Sequence, residues 1–370
     1  MRRRFRTTFR RASGRTVLAG VLAAGLLFAG HAVSAEEASW GFVPIPIIGY
    51  SPDTGVLLGG SGFLYWEPET NAESNDNNTV SLALMYGTRG MYAAPLNVSF
   101  NLSDGVWKPD FDVYLGRSPE DFFGIGPETG EGDGEVYRQL LFDAEVSVLR
   151  RLRRGVYLGP VVRGFSLDVD EVEEGGLLDE KGPTGVEGIE TLGGGARLVL
   201  DTREPQLYPL TGTLLRVQAL GYPSGQGTHD GFLSSGVDYR RYFNPGGEHV
   251  VALQGVVDLA AGDVPFQSLP SLGGQDELRG YPEGRYRDDV AVRAQAEYRF
   301  PIRRRFGGVV FGAAGQVAPA VEELTFLDPA ASAGIGLRFT LDTRQNLNLR
   351  FDLARSREGV SFYVAFREAF

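Results

Sequence analysis

Cysteine is absent from the 370 residues, so a disulfide framework, a thiolate metal site and a lipid-anchored N-terminus are all excluded. Histidine is nearly as scarce, with only His31, His229 and His249. That leaves little from which to build a Ser-His-Asp engine or a histidine metal site. His229 and His249 flank predicted strands, and no nucleophilic serine or acid stands at a convincing spacing from His249, so an enzyme is disfavoured and no cofactor or metal is implied. Basic charge is also short: 36 Lys and Arg face 47 Asp and Glu, a formal net charge of −11. Nucleic acid is therefore not an expected partner. Long apolar runs are missing too. Beyond residue 36 nothing approaches the roughly 20 apolar residues that a transmembrane helix needs.

The first 35 residues differ from the rest. Arg2, Arg3, Arg4, Arg6, Arg10, Arg11 and Arg15 precede an apolar run from Val17 to Ala29, and Val33-Ser34-Ala35 follows. A basic start, an apolar stretch too short to span a bilayer and a small-residue cleavage site predict a signal peptide over 1–35, with Glu36 first in the mature chain. Its seven arginines would leave with it, making the remainder more acidic still, 29 basic against 47 acidic side chains.

What is plentiful is glycine, with 51 residues, and aromatic side chains, with 23 Phe and 15 Tyr. From residue 40 onward apolar and polar residues alternate with a period of two, the signature of a strand with one greasy face and one polar face. In 292–302, Val292, Ala294, Ala296, Tyr298, Phe300 and Ile302 alternate with Arg293, Gln295, Glu297 and Arg299. The stretch 347–353 repeats this, Leu347, Leu349, Phe351 and Leu353 alternating with Asn348, Arg350 and Asp352. A soluble sandwich would alternate as well. The export signal, the strand number and the aromatic C-terminus favour lipid outside and a wet lumen inside.

The alternation predicts an all-β fold, an antiparallel transmembrane β-barrel filling 36–370 with no second domain. Sixteen strands are expected, near 41–50, 55–66, 79–88, 91–101, 107–116, 135–150, 154–169, 192–203, 212–222, 231–243, 248–261, 289–302, 306–317, 331–341, 346–355 and 359–370. With both termini periplasmic, the outward connections 117–134, 170–191, 262–288 and 318–330 are the long ones, and Leu152-Arg153, Asn244 to Gly247 and Arg303 to Arg305 make tight inward turns. The connection 67–78 is long yet inward, which keeps fourteen or twelve strands open.

One segment is more specific. The loop and strand at 270–302, PSLGGQDELRGYPEGRYRDDVAVRAQAEYRFPI, resemble the sixth extracellular loop and following strand of the BamA/TamA family of outer-membrane assembly proteins, with Arg279-Gly280-Tyr281 as the loop's Arg-Gly-aromatic tip. WGFVPIPIIGYSPDTGVLLGG resembles the family's first hairpin, FFGIGPET at 122–129 its Gly-rich third loop, and DTREPQLYPLTG at 201–212 a recurrent periplasmic turn. The resemblance implies that loop 262–288 folds back into the lumen and that Arg279 meets carboxylates on neighbouring strands, as a structural strut. Gly280 would let the backbone turn beside the wall and Tyr281 would pack on it. The family's Phe-x-Asp-x-Gly strand reads FGAAG here, with Ala313 where the aspartate would be, so another acceptor is needed, and Glu297 is the candidate. The C-terminus SFYVAFREAF resembles the signal by which assembly machinery recognises barrel substrates, carried by Phe362, Val364, Phe366 and Phe370 on one face. Glu368 breaks that series, and the chain itself is expected to be a client of such machinery. The family's periplasmic POTRA modules have no counterpart in the four residues between the expected cleavage site and the first strand, so it resembles a short member without them.

Two functions follow as expectations at the outer membrane. In the first, the first and sixteenth strands meet at a weak lateral seam that helps proteins or lipids into or across the bilayer. Pro44 and Pro46 would remove backbone donors there, or would merely protect a barrel-closing strand. In the second, the barrel is a passive or plugged channel without assembly activity. Partners expected are outer-membrane lipid and lipopolysaccharide, the assembly machinery as insertion route, and an unidentified periplasmic protein.

Overall fold

The computed structural model describes residues 5–6, 40–51, 54–66, 78–129, 134–205, 208–224, 230–342 and 347–370. The expected cleavage site, His31 and His229 lie outside these residues, as does the rest of the leader apart from Phe5–Arg6, which pair with Val172 and Glu173.

Sixteen antiparallel strands close into one barrel. They are β1 (Trp40–Ser51), β2 (Gly55–Trp66), β3 (Asn78–Gly87), β4 (Tyr92–Ser99), β5 (Trp107–Phe122), β6 (Glu135–Arg153), β7 (Val156–Glu173) and β8 (Ile189–Asp201) in the first half. The second half holds β9 (Gly212–Pro223), β10 (Gly231–Gly246), β11 (His249–Gly262), β12 (Val290–Arg303), β13 (Phe306–Ala318), β14 (Ala330–Asp342), β15 (Leu347–Ser356) and β16 (Gly359–Phe366). Each strand pairs with its neighbour in sequence, and β16 meets β1. Closure matters because bilayer hydrocarbon offers no partners to unpaired backbone groups. Among the described residues no helix is long and apolar enough to cross a membrane; the crossing elements are strands.

Side chains follow the period of two. On β12, Ala294, Ala296 and Tyr298 point outward and are exposed, whereas Arg293, Gln295, Glu297 and Arg299 point inward and are buried. The outer surface is a band of exposed apolar residues that includes Leu84, Leu233, Ile335 and Leu353. The tight turns at 154–155, 247–248 and 304–305 share one end with Trp40 and Phe366, as do the strand ends that flank 67–77, and the loops 123–134, 174–188, 263–289 and 319–329 join strands at the other. Short periplasmic turns and longer extracellular loops are the rule for such barrels, which orients this one.

Three features depart from the alternation. β5 runs on to Phe122, so the first part of the expected loop 117–134 is strand. β16 stops at Phe366, and at Arg367, with φ +65, the chain turns inward, so Phe370 lies inside the barrel instead of on the outer face with Phe362 and Val364. The side chain of Phe366 lies outside the described residues. Third, the charged side chains inside β12–β15 are covered by loop and tail and buried, whereas Asp258 on β11 is partly exposed and lines a cavity with Arg163, Arg216 and Asp238.

Three outward loops do much of the filling. Phe266, from loop 263–289, packs edge-on against Phe122 and Tyr137 at 5.1 and 5.5 Å between ring centres. A short helix α1 (Leu177–Lys181) in the β7–β8 loop buries Leu178 in the same cluster, and the Leu178 N–H donates to Glu135 Oε2 at 2.9 Å. The loops are stapled together: Phe266 N–H donates to the Thr184 carbonyl and Gly126 N–H to the Arg287 carbonyl, both at 2.9 Å.

Candidate functional site

The tip Arg279-Gly280-Tyr281 reaches into the lumen against β12–β16. Arg279 is 1% exposed. Its Nη2 donates to Glu297 Oε1 at 2.5 Å and its Nη1 to Asp352 Oδ2 at 2.8 Å, while the guanidinium lies 3.5 Å from the centre of the Phe311 ring. The structure therefore brings Glu297 to Arg279 and adds Asp352 from β15 as a second acceptor. Ala313, where the resemblance calls for aspartate, faces the lumen beside Tyr281 and Leu272.

The pairs close into a ring. Glu297 Oε2 meets Arg299 at 2.8 Å, Arg299 Nε lies 3.9 Å from Glu368 Oε2, and Glu368 accepts from Arg338 Nε at 2.7 Å. Arg338 Nη1 then donates to Asp352 Oδ1 at 2.5 Å, which returns to Arg279. Three guanidinium groups and three carboxylates alternate, and none of these side chains is more than 4% exposed. Alternation lets each buried charge face two of opposite sign, which is what offsets its desolvation. Glycine makes room for it: a Cβ on Gly336 would fall onto the Asp352 carboxylate and come within 2.6 Å of Arg338 Nη1. Arg350 extends the ring to the loop by pairing with Asp276 and donating to the Gln275 carbonyl at 3.3 Å.

The backbone of the tip is held as tightly. Gly280 N–H donates to the Tyr363 hydroxyl at 2.9 Å, and Ser356 Oγ donates to the Gly280 carbonyl at 2.6 Å. At φ +105 Gly280 occupies a region that L side chains rarely adopt, and a Cβ there would stand 3.1 Å from Ser356 Cβ. Tyr281 is buried and its hydroxyl donates to the Ala331 carbonyl at 3.3 Å. Further up the loop, burial pushes the Glu277 carboxyl above its ordinary range while Arg293, 2.6 Å away, pulls it back.

Sequence reasoning missed several partners. Arg338, Glu368, Ser356 and Tyr363 carry no motif. Glu368 interrupts the apolar series of the C-terminus because it is the ring's third acid, and Asn348 Nδ2 donates to it as well, at 3.0 Å. Arg285, buried in the loop, donates to Glu358 in the β15–β16 turn at 2.7 Å and to Thr129 in the β5–β6 loop at 2.6 Å. It ties two distant parts of the barrel's mouth.

The second feature is the junction of β16 with β1. Among the described residues a single pair, Val364 and Tyr50, joins them, whereas every other neighbouring pair of barrel strands shares at least six. Continuing that register would set Pro46 opposite Glu368 and Pro44 opposite Phe370. The chain has left the sheet by then. Phe370 instead packs on Tyr242, Val250 and Ala252, and its carbonyl accepts from Arg299 at 2.9 Å. On its β16 side the lower half of β1 thus has no strand among the described residues. Pro44 and Pro46, two apart, lack donors toward the same edge, and the twelve-residue register of β1 with β2 is unbroken, so that edge is the one facing the gap. Phe42, Pro44, Pro46 and Ile48 are exposed outward along it.

Among the described residues no group of three or more His, Asp or Glu could hold a metal ion.

Residues 190–357 match the Omp85 superfamily domain. The fold is that of a solved BamA from Haemophilus ducreyi lacking POTRA domains 1–3, with a TM-score of 0.61 and 14% identity over 96% of this chain and 80% of that one. CdiB from Acinetobacter baumannii is similar at a TM-score of 0.55 and 13% identity, over 90% of this chain and 60% of that one. No curated protein matches significantly by sequence.

Proposed function

We propose that this multi-pass outer-membrane protein, a sixteen-strand barrel carrying an Omp85 superfamily domain, assists the insertion or translocation of proteins or lipids by parting β1 from β16. The observation that carries the reading is the single-pair junction, with a proline-bearing free edge below it. A sheet edge in hydrocarbon is costly where donors and acceptors go unpaired. Two missing N–H groups lower that cost for the lower half of β1, and the remaining groups offer an incoming strand a template. On this reading the anchored loop holds β12–β16 rigid, so that β1 is the side that moves. An open channel is supported less well, because loop 263–289 and the turned-in tail occupy the lumen along β11–β16.

The test uses the lack of native cysteine. Tyr50→Cys with Val364→Cys permits one disulfide across the junction. Proteoliposomes carrying the reduced protein should speed the folding of a small outer-membrane barrel, and oxidation should abolish that acceleration until reductant restores it. Acceleration that persists in the fully oxidised protein would refute the seam. A steady large conductance in planar bilayers would favour the channel instead.

A further inference from the structure

The chain is acidic overall, yet the periplasmic rim between β5 and β13 is basic. The end of β6 and the turn after it carry Arg150, Arg153 and Arg154, and the end of β12 and the turn after it carry Arg303, Arg304 and Arg305, all exposed. Among the described residues no carboxylate pairs with any of the six. Asp104, Glu204 and Glu248, exposed on the same rim, form no ion pair with them.

Their neighbours are apolar and face outward. The Arg150 guanidinium lies 5.6 Å from the ring of Trp107, a lipid-facing residue 40% exposed, and Leu152 and Leu158 are exposed beside it. Ile302 and Phe306 flank the second cluster, and Phe306 packs on Phe339 at 5.2 Å. Between the two clusters the pattern recurs, Arg241 lying 5.0 Å from the ring of outward-facing Phe243. Aromatic rings at the level of the headgroups with cations just beyond them describe a membrane interface. Guanidinium groups there, without carboxylate partners, are placed to meet phosphate.

We infer that this arc of the periplasmic rim is a binding surface for anionic phospholipid of the inner leaflet, with the arginine clusters at 150–154 and 303–305 holding the headgroup phosphates.

The three tryptophans, Trp40, Trp66 and Trp107, supply the readout. In a Trp40→Phe, Trp66→Phe background, Trp107 fluorescence is quenched by brominated lipid in contact with it. Brominated phosphatidylglycerol should be favoured over brominated phosphatidylcholine about threefold to tenfold, as expected of a few cations at a charged surface. Replacing Arg150, Arg153 and Arg154 by Gln should bring that ratio close to one, as should high salt, with the barrel still heat-modifiable on a gel. Mass spectrometry of lipid retained by the unaltered protein from mixed micelles should show phosphatidylglycerol enriched over phosphatidylcholine. Equal quenching by the two lipids, or a preference that survives the triple substitution, would overturn the inference; in the first case an acidic protein becomes the better occupant of the rim.

Discussion

The walls on either side of the junction are built on opposite plans. From β12 to β16 the inner face holds a buried, charged lattice locked to a loop; from β1 to β4 the inward positions carry Gly41, Val43, Ile45, Ile47, Leu57, Ser61, Phe63, Ala83, Met85 and Asn97, and no charged residue. β1 is apolar on both faces. The first wall is tied to partners far away in sequence, the second to its neighbouring strands, through their ladders and a few side-chain bonds such as Asn97 to Asp112 at 2.7 Å. The two plans meet where pairing is thinnest, at β16 and β1.

Hydrogen exchange offers the most direct way to break this contrast. Local opening free energies in one protein run from near zero to the global value, so β1 amides should exchange about a thousandfold faster than those of β12, a gap of about 4 kcal/mol. Equal protection on the two walls would remove it. Removing the arginine at the centre of the lattice should erode the rigid side. Arg279→Ala leaves Glu297 and Asp352 each short of a partner, and breaking such a buried pair costs about 3–5 kcal/mol. The closed wall keeps its own hydrogen bonds, so the expected outcome is loop release: external protease cuts between Gln275 and Arg287 while heat-modifiability is retained. Lysine at 279 should rescue only in part, since a point charge cannot serve two carboxylates as a fork does. Full protection of the loop in Arg279→Ala would mean the lattice does not hold it.

Smaller effects sharpen the picture. Gly280→Ala must adopt a positive φ against Ser356 and should loosen the tip by about 1–3 kcal/mol, read as a lower temperature for loop proteolysis. Glu368→Gln keeps the shape of the ring's third acid but not its charge. It should cost about 1–2 kcal/mol and free the tail, measured as faster exchange of the amides from Arg367 to Phe370. If the tail's exchange is unchanged, Phe370 holds it without help from the ring.

What was legible in the sequence is what a strand encodes locally. Inward and outward faces follow from parity, so Arg293, Glu297, Arg299, Arg350 and Asp352 could be put on one face of their strands from the letters alone. Which of them touch depends on the stagger between strands, a non-local quantity. Glu297 lay on the strand following the motif and was within reach of inference; Asp352 comes from a strand more than seventy residues beyond Arg279. The inward turn at Arg367 was hidden for another reason: the alternation of apolar residues runs straight through to Phe370, and only Glu368 disagrees. At the junction, Pro44 and Pro46 flagged an edge, but the length of the gap depended on where β16 ends.

That turn bears on the kinetics of the protein's own assembly. If Phe370 is the mark by which assembly machinery selects an exported chain, it is readable only before folding, because in the finished barrel it is buried on Tyr242 and Val250 beneath Arg299. Substrate and product then differ at the recognised residue itself. A membrane crowded with completed barrels would not compete with the next chain for its receptor, and the step escapes product inhibition without any energy source beyond folding.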